Sequence, residues 1–271
     1  LGGSPDHFGW LGRALSRNGW PAVVLEPPGS DAVAVQALLE GRRPPPGAEV
    51  LPERLQDLQE VLSAFERGEL PLSGDQLVLL GHSLGALTAL LASGAQPEPG
   101  LGLRCQRALD DLPLSNLSRL LQCQIQDVSL PSVVPPPSLA GVVGLNSFGS
   151  LLWPKNVAVA SDVPVLLSGG SLDLITPPIS EQLGLLRALP PNPGTRVVLV
   201  EGASHFSPVR VEGQSGSQGQ DLFQLGEELV GVQPLQVQAL LEKEILHFLD
   251  GLETGRMVKP GEGDAEHVQM G

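Results

Sequence analysis

The stretch Leu77-Val78-Leu79-Leu80-Gly81-His82-Ser83-Leu84-Gly85-Ala86-Leu87-Thr88-Ala89-Leu90-Leu91 decides the fold. An apolar run of strand length enters a glycine-bordered turn, and small and aliphatic residues of helical character leave it. Strand, sharp turn and helix form the context that a G-x-S-x-G nucleophile elbow requires. In such a turn the serine backbone is strained, and Gly81 and Gly85 leave room where a Cβ would meet the neighbouring strand and helix. Ser83 would stand at a helix N-terminus, where unpaired N–H groups and the helix dipole favour a developing negative charge. The plainer alternative is a strand–helix turn with an incidental serine, and the flanking pattern speaks against it.

A serine hydroxyl is a poor nucleophile at neutral pH and needs a base, which needs an orienting carboxylate. The elbow architecture orders them serine, acid, histidine, with acid and base each following a later strand. Residues 163–170 read as a buried strand running into a glycine turn, and Ser171-Leu172-Asp173 follows. Residues 195–200 read as the next strand, followed by Glu201-Gly202-Ala203-Ser204-His205-Phe206. Asp173 and His205 are thus expected on loops at the C-terminal edge of a parallel sheet. Their bland alternatives are a turn-capping aspartate before Thr176-Pro177-Pro178 and a solvated loop histidine. Of the five histidines, only His205 follows a strand that itself follows Asp173. His82 is expected to pack beside the site, His7 to serve its loop, His247 to ride an amphipathic helix, and His267 to lie in a polar tail. None has Cys or carboxylate partners at ligand spacing, so no metal and no cofactor is expected.

These motifs carry a resemblance. Leu1-Gly2-Gly3-Ser4-Pro5-Asp6, Gly29-Ser30-Asp31, the elbow, Asn116-Leu117-Ser118-Arg119-Leu120-Leu121-Gln122-Cys123, Gly169-Gly170-Ser171-Leu172-Asp173 and Gly202-Ala203-Ser204-His205-Phe206-Ser207 together resemble the α/β-hydrolase superfamily. The likeness is to its bacterial, cyanobacterial-type branch of predicted dienelactone hydrolases, akin to platelet-activating-factor acetylhydrolases. It implies an α/β-hydrolase fold, a mostly parallel sheet flanked by helices. It also implies an oxyanion hole made by the backbone N–H of Leu84 and a second from the loop around Leu1 and Gly2. The family sets two or three strands before that loop. The chain is therefore expected to lack its N-terminal strands, with residues 22–26 as the fourth strand of the complete sheet. True dienelactone hydrolases carry a cysteine nucleophile where this sequence has Ser83, so their substrate is not implied.

Composition sets the outer limits. A chain of 271 residues with 41% hydrophobic content can bury one sizeable core, expected over residues 1–254, with 255–271 a polar tail. A net charge of −14 disfavours nucleic acid and anionic membranes as partners. No apolar run approaches the ~20 residues of a membrane span. The oligomeric state is not legible.

Helices are expected over residues 8–18, 50–65, 179–189 and 234–252, the last with Val237, Leu241, Ile245 and Phe248 on its apolar face, and a buried strand over 139–145. Residues 96–138 are too long for a simple connection and read as a helical cap over the site, or else as an excursion that packs elsewhere on the sheet. In the cap reading Leu112, Leu114, Leu117, Leu120 and Leu121 line an acyl pocket, with Phe148 and Trp153 as the opposite wall and His82 and Phe206 beside the site. Cys105 and Cys123 both fall in this insertion. They are either a disulfide, which would fit a periplasmic or exported protein, or two reduced thiols, which would fit the cytoplasm.

The expected function is a serine hydrolase cleaving carboxylic esters (small acyl esters, lipids or polyesters) through an acyl-enzyme on Ser83, with His205 as base and Asp173 as orienting acid. An acyltransferase or thioesterase with the same residues, and an inactive hydrolase-like binding protein, are the alternatives. With no Lys or Arg close to these loops in sequence, neutral acyl esters are expected to be preferred over carboxylates.

Overall fold

The computed structural model describes residues 3–42, 46–72, 74–110, 116–154, 162–209, 233–254 and 265–268. Five parallel strands form one sheet in chain order: β1 (Leu77–His82), β2 (Leu139–Leu145), β3 (Val165–Gly170), β4 (Arg196–Val200) and β5 (Ala265–Val268). Leu79 pairs with Val142, Val142 with Val165, and Leu167 with Val197, so aliphatic residues run across the sheet in register.

Side chains alternate between faces along each strand, and both faces are apolar, as expected where helices cover a parallel sheet on both sides. Leu79, Val142, Val165, Leu167 and Val197 point to one face, covered by α3 (Leu51–Glu66), α4 (Leu84–Ala92), α5 (Leu101–Asp110), α6 (Ser118–Gln124) and α7 (Gln182–Ala188). Val143, Leu145, Leu166, Val198 and Val200 point to the other, covered by α1 (Gly9–Arg17) and α8 (Pro234–Thr254). The stripe of Val237, Leu241, Ile245 and Phe248 on α8 is buried. At Gly141 a Cβ would lie 3.1 Å from both Phe248 and Leu252, so the absent side chain lets α8 sit close under β2. The result is an α/β architecture, a parallel sheet between two helical layers.

Three expectations are revised. Residues 22–26 form no strand: they lack a ladder partner, and Val23, Val24 and Leu25 are exposed. A strand exists by pairing, and among the described residues the only ladder contact in this region is a single parallel bridge between Gly3 and Asp31. The polar segment 255–271 is not tail throughout, because Ala265–Val268 adds to the edge of β4. A short helix not anticipated from periodicity, α2 (Ala32–Leu39), starts where Asp31 Oδ1 accepts the Ala34 N–H at 2.8 Å. Among the described residues, no helix is long and apolar enough to cross a membrane.

The insertion 96–138 is both things its sequence left open. Leu101, Cys105, Cys123 and Ile125 join the main core, whereas Leu117, Leu120 and Leu121 face a cavity at the C-terminal edge of the sheet. Cys105 and Cys123 form a disulfide joining α5 to α6. Leu112 and Leu114 lie outside the described residues.

Candidate active site

β1 ends in a turn that its neighbours force. Ser83 has φ 54°, a left-handed backbone that costs a non-glycine residue free energy. Its N–H donates to Leu145 O at 2.9 Å, prolonging the β1–β2 ladder, while its carbonyl already accepts from Ala86 and Leu87 in α4. One residue therefore serves sheet and helix at once, which leaves its side chain at the sheet edge. The turn needs Gly81 absolutely: a Cβ there would stand 2.2 Å from the Gly85 backbone. Gly85 is less constrained than the motif suggests, since a Cβ there would meet nothing closer than Arg54 Nη2 at 3.8 Å.

The loops after β3 and β4 bring Asp173 and His205 to that serine. His205 Nε2 lies 3.0 Å from Ser83 Oγ, and His205 Nδ1 lies 2.8 Å from Asp173 Oδ2. With Nδ1 donating to the carboxylate, Nε2 is left as the acceptor for the serine proton. The imidazole is nearly fully buried, and its ring packs edge to face against Phe206 at 5.1 Å.

Asp173 is buried and heavily donated to. Besides His205, it accepts from Asn146 Nδ2 (2.8 Å), the backbone N–H groups of Ile175 (2.9 Å) and Thr176 (2.8 Å), and the Thr176 hydroxyl (2.6 Å). Burial would raise its pKa. The hydrogen bond and charge of His205, with the hydroxyl and amide of Thr176, outweigh burial and hold the carboxyl well below the usual range. Asn146 also has a left-handed backbone, φ 47°, directly after β2, which turns its side chain towards the aspartate. Neither Asn146 nor Thr176 was assigned a role from sequence. A polar residue tolerant of positive φ at a strand end was the signal available for Asn146.

His82 lies beside this row. Its Nε2 donates to the His205 backbone carbonyl at 2.8 Å, and the two rings are 4.9 Å apart. Burial, and secondarily the charge of His205, push its pKa down to about 3, so it is neutral at ordinary pH.

Behind the site stands Glu181, fully buried, which sequence reading missed. Its carboxylate accepts from Asn116 Nδ2 (2.6 Å), Ser150 Oγ (2.7 Å) and the N–H groups of Gly149 (2.9 Å) and Ser150 (3.0 Å). It thereby fastens the start of α6 to the loop that follows Asn146. The start of α6 has a second attachment, to the loop after β3, where the Leu117 and Ser118 amides donate to the Leu174 and Ile175 carbonyls beside Asp173.

A cavity of about 980 Å³ runs along β1, from Asp75 and Glu253 at one end to Ser83 and His205 at the other. His82, Leu117, Leu121, Phe148 and Phe206 line it, as do Leu120 and Ile175. Trp153 does not, contrary to expectation. Its ring is buried in the core against Gly149, and its Nε1 donates to Gln96 O at 2.8 Å, because the loop after β2 turns that side chain inward. Leu84 begins α4, so its N–H has no partner within the helix. Leu1 and Gly2 lie outside the described residues. No protein-family model matches this chain, and neither does any curated protein.

Proposed function

We propose that the protein is a serine hydrolase that cleaves carboxylic esters, and that its parallel α/β architecture is an α/β-hydrolase fold. The carrying observation is the continuous path Asp173 Oδ2–His205 Nδ1 (2.8 Å) and His205 Nε2–Ser83 Oγ (3.0 Å), ending on a serine with a strained elbow backbone. In this reading Ser83 Oγ attacks the ester carbonyl carbon as His205 Nε2 takes its proton. Asp173 keeps the imidazole in the Nδ1–H tautomer and stabilises the imidazolium. The tetrahedral oxyanion is met by the Leu84 N–H and, following the resemblance, by a donor from the loop of Leu1 and Gly2. His205 then protonates the departing alcohol, and the same residue activates the water that releases the acid from Ser83.

A fluorophosphonate probe tests nucleophile, base and oxyanion donors together. The expected result is one label on Ser83, lost in Ser83→Ala and strongly reduced in His205→Ala, with p-nitrophenyl ester turnover lost in parallel. A folded Ser83→Ala protein that keeps most of its turnover would overturn the reading.

A further inference from the structure

Thr176 is fully buried, and its hydroxyl touches the loops that follow three successive strands. Oγ1 lies 2.6 Å from Asp173 Oδ2 in the loop after β3 and 3.2 Å from His205 Nδ1 in the loop after β4. It also lies 3.1 Å from the Asn146 carbonyl oxygen, directly after β2. A hydroxyl has a single proton to give to these neighbours. The short contact marks Oδ2 as its acceptor, because two oxygens so close repel unless a proton lies between them.

Asp173 is thereby over-subscribed on one side. Oδ1 accepts the Ile175 and Thr176 amides, which matches its two lone pairs. Oδ2 accepts Asn146 Nδ2, the Thr176 hydroxyl and His205 Nδ1, one donor more than it has lone pairs. Donors that converge on one oxygen draw on the same negative charge, so each weakens the others. The Nδ1–H of His205 therefore meets a carboxylate whose charge is partly taken up by its neighbours. At 3.2 Å, Thr176 Oγ1 accepts only a lesser branch of that N–H. The titratable side chains facing the imidazole are Asp173 and, from the end of β1, His82, which is neutral at ordinary pH.

We infer that Thr176 is a positioning residue that tempers the pull of Asp173 on His205 by sharing Oδ2 with it. The inference rests on the ester-hydrolase reading and concerns the two proton transfers within it. A histidine held too firmly as imidazolium takes the Ser83 proton readily but returns it to the departing alcohol reluctantly, and turnover needs both steps. The hydroxyl keeps the pairing between those extremes. Its removal should act in the opposite sense to the loss of a merely structural contact: the Asp173–His205 hydrogen bond should strengthen rather than loosen.

The readout is the His205 Nδ1 proton, followed by NMR in protein labelled at histidine and assigned by its loss in His205→Gln. Thr176→Val keeps the shape of the side chain and removes the hydroxyl. In this variant the resonance should move downfield, and the acid limb of the kcat/KM profile for a p-nitrophenyl ester should rise by about one pH unit. Thr176→Ser restores the hydroxyl and should leave both readouts at their wild-type positions. Should the valine variant fold poorly, Thr176→Ala carries the same expectation. An unmoved or upfield-shifted resonance in the folded valine or alanine variant, or an equal move in the serine variant, would overturn the inference. The resonance is read without substrate. A downfield move in a protein that turns over no ester keeps this inference and removes the esterase reading, whereas ester turnover with an unmoved resonance does the reverse.

Discussion

His82 Nε2 and the His205 backbone carbonyl are joined at 2.8 Å, so the variable position of the elbow holds the loop that carries the histidine facing Ser83. The contact ties the end of β1 to the loop after β4, across two intervening strands.

That tie has a pH signature. The His82 pKa falls from its ordinary 6.5 to about 3 on folding, so between those values the unfolded chain binds a proton that the folded chain refuses. Stability should therefore fall as pH drops from about 6.5 towards 3, by up to about 1.4 kcal/mol per unit. The lowered Asp173 carboxyl acts in the same direction below its ordinary value. In His82→Gln, whose amide can still donate to the carbonyl, the loss between pH 7 and 4.5 should be smaller. Urea midpoints at the two pH values check this, and parallel losses in both proteins would refute it.

Asn146 combines a left-handed backbone with a donor to Asp173. Asn146→Gly removes only the donor, whereas Asn146→Ala also adds backbone strain. The alanine variant should be the less stable by about 1 kcal/mol in thermal unfolding. On the proposed ester-hydrolase reading, both should slow turnover by about tenfold, the equivalent of one hydrogen bond to a charged acceptor.

At Glu181 the comparison is between losing charge and losing oxygen. Glu181→Gln keeps an acceptor for the Gly149 and Ser150 amides, and Glu181→Leu leaves several buried donors unpaired at about 1–3 kcal/mol each. The leucine variant should melt far below the glutamine variant.

The disulfide between Cys105 and Cys123 closes a loop with a sequence separation of 18. Replacing both cysteines by alanine should cost about 3 kcal/mol, read from denaturant unfolding. No change would mean that the α5–α6 packing suffices alone.

β1 to β4 were legible because each is an aliphatic run of strand length, and β2 begins and ends where its run does, whereas β5, Ala265–Val268, has no such run. Ser83, Asp173 and His205 were legible for a related reason: each sits directly after such a run. The supports were not. Glu181 acts through burial and partners distant in sequence, which no local pattern encodes. Residues 22–26 failed in the opposite way, since Val23, Val24 and Leu25 have strand propensity but no backbone among the described residues pairs with them. Trp153 shows the same limit, because a loop aromatic points inward or outward according to packing alone.

Chain order and sheet order coincide in this protein, and that has a consequence for reach. Ser83 follows β1 and His205 follows β4, three strand spacings apart, or about 14 Å across the sheet. Their side chains nevertheless stand 3.0 Å apart. The loop after β4 must therefore travel back over the ends of β3 and β2, a reversal begun by Gly202 at φ 75°. The serine is fixed by regular secondary structure and the histidine by a cantilever, so lengthening or trimming residues 201–204 should misplace His205 while leaving Ser83 where it is.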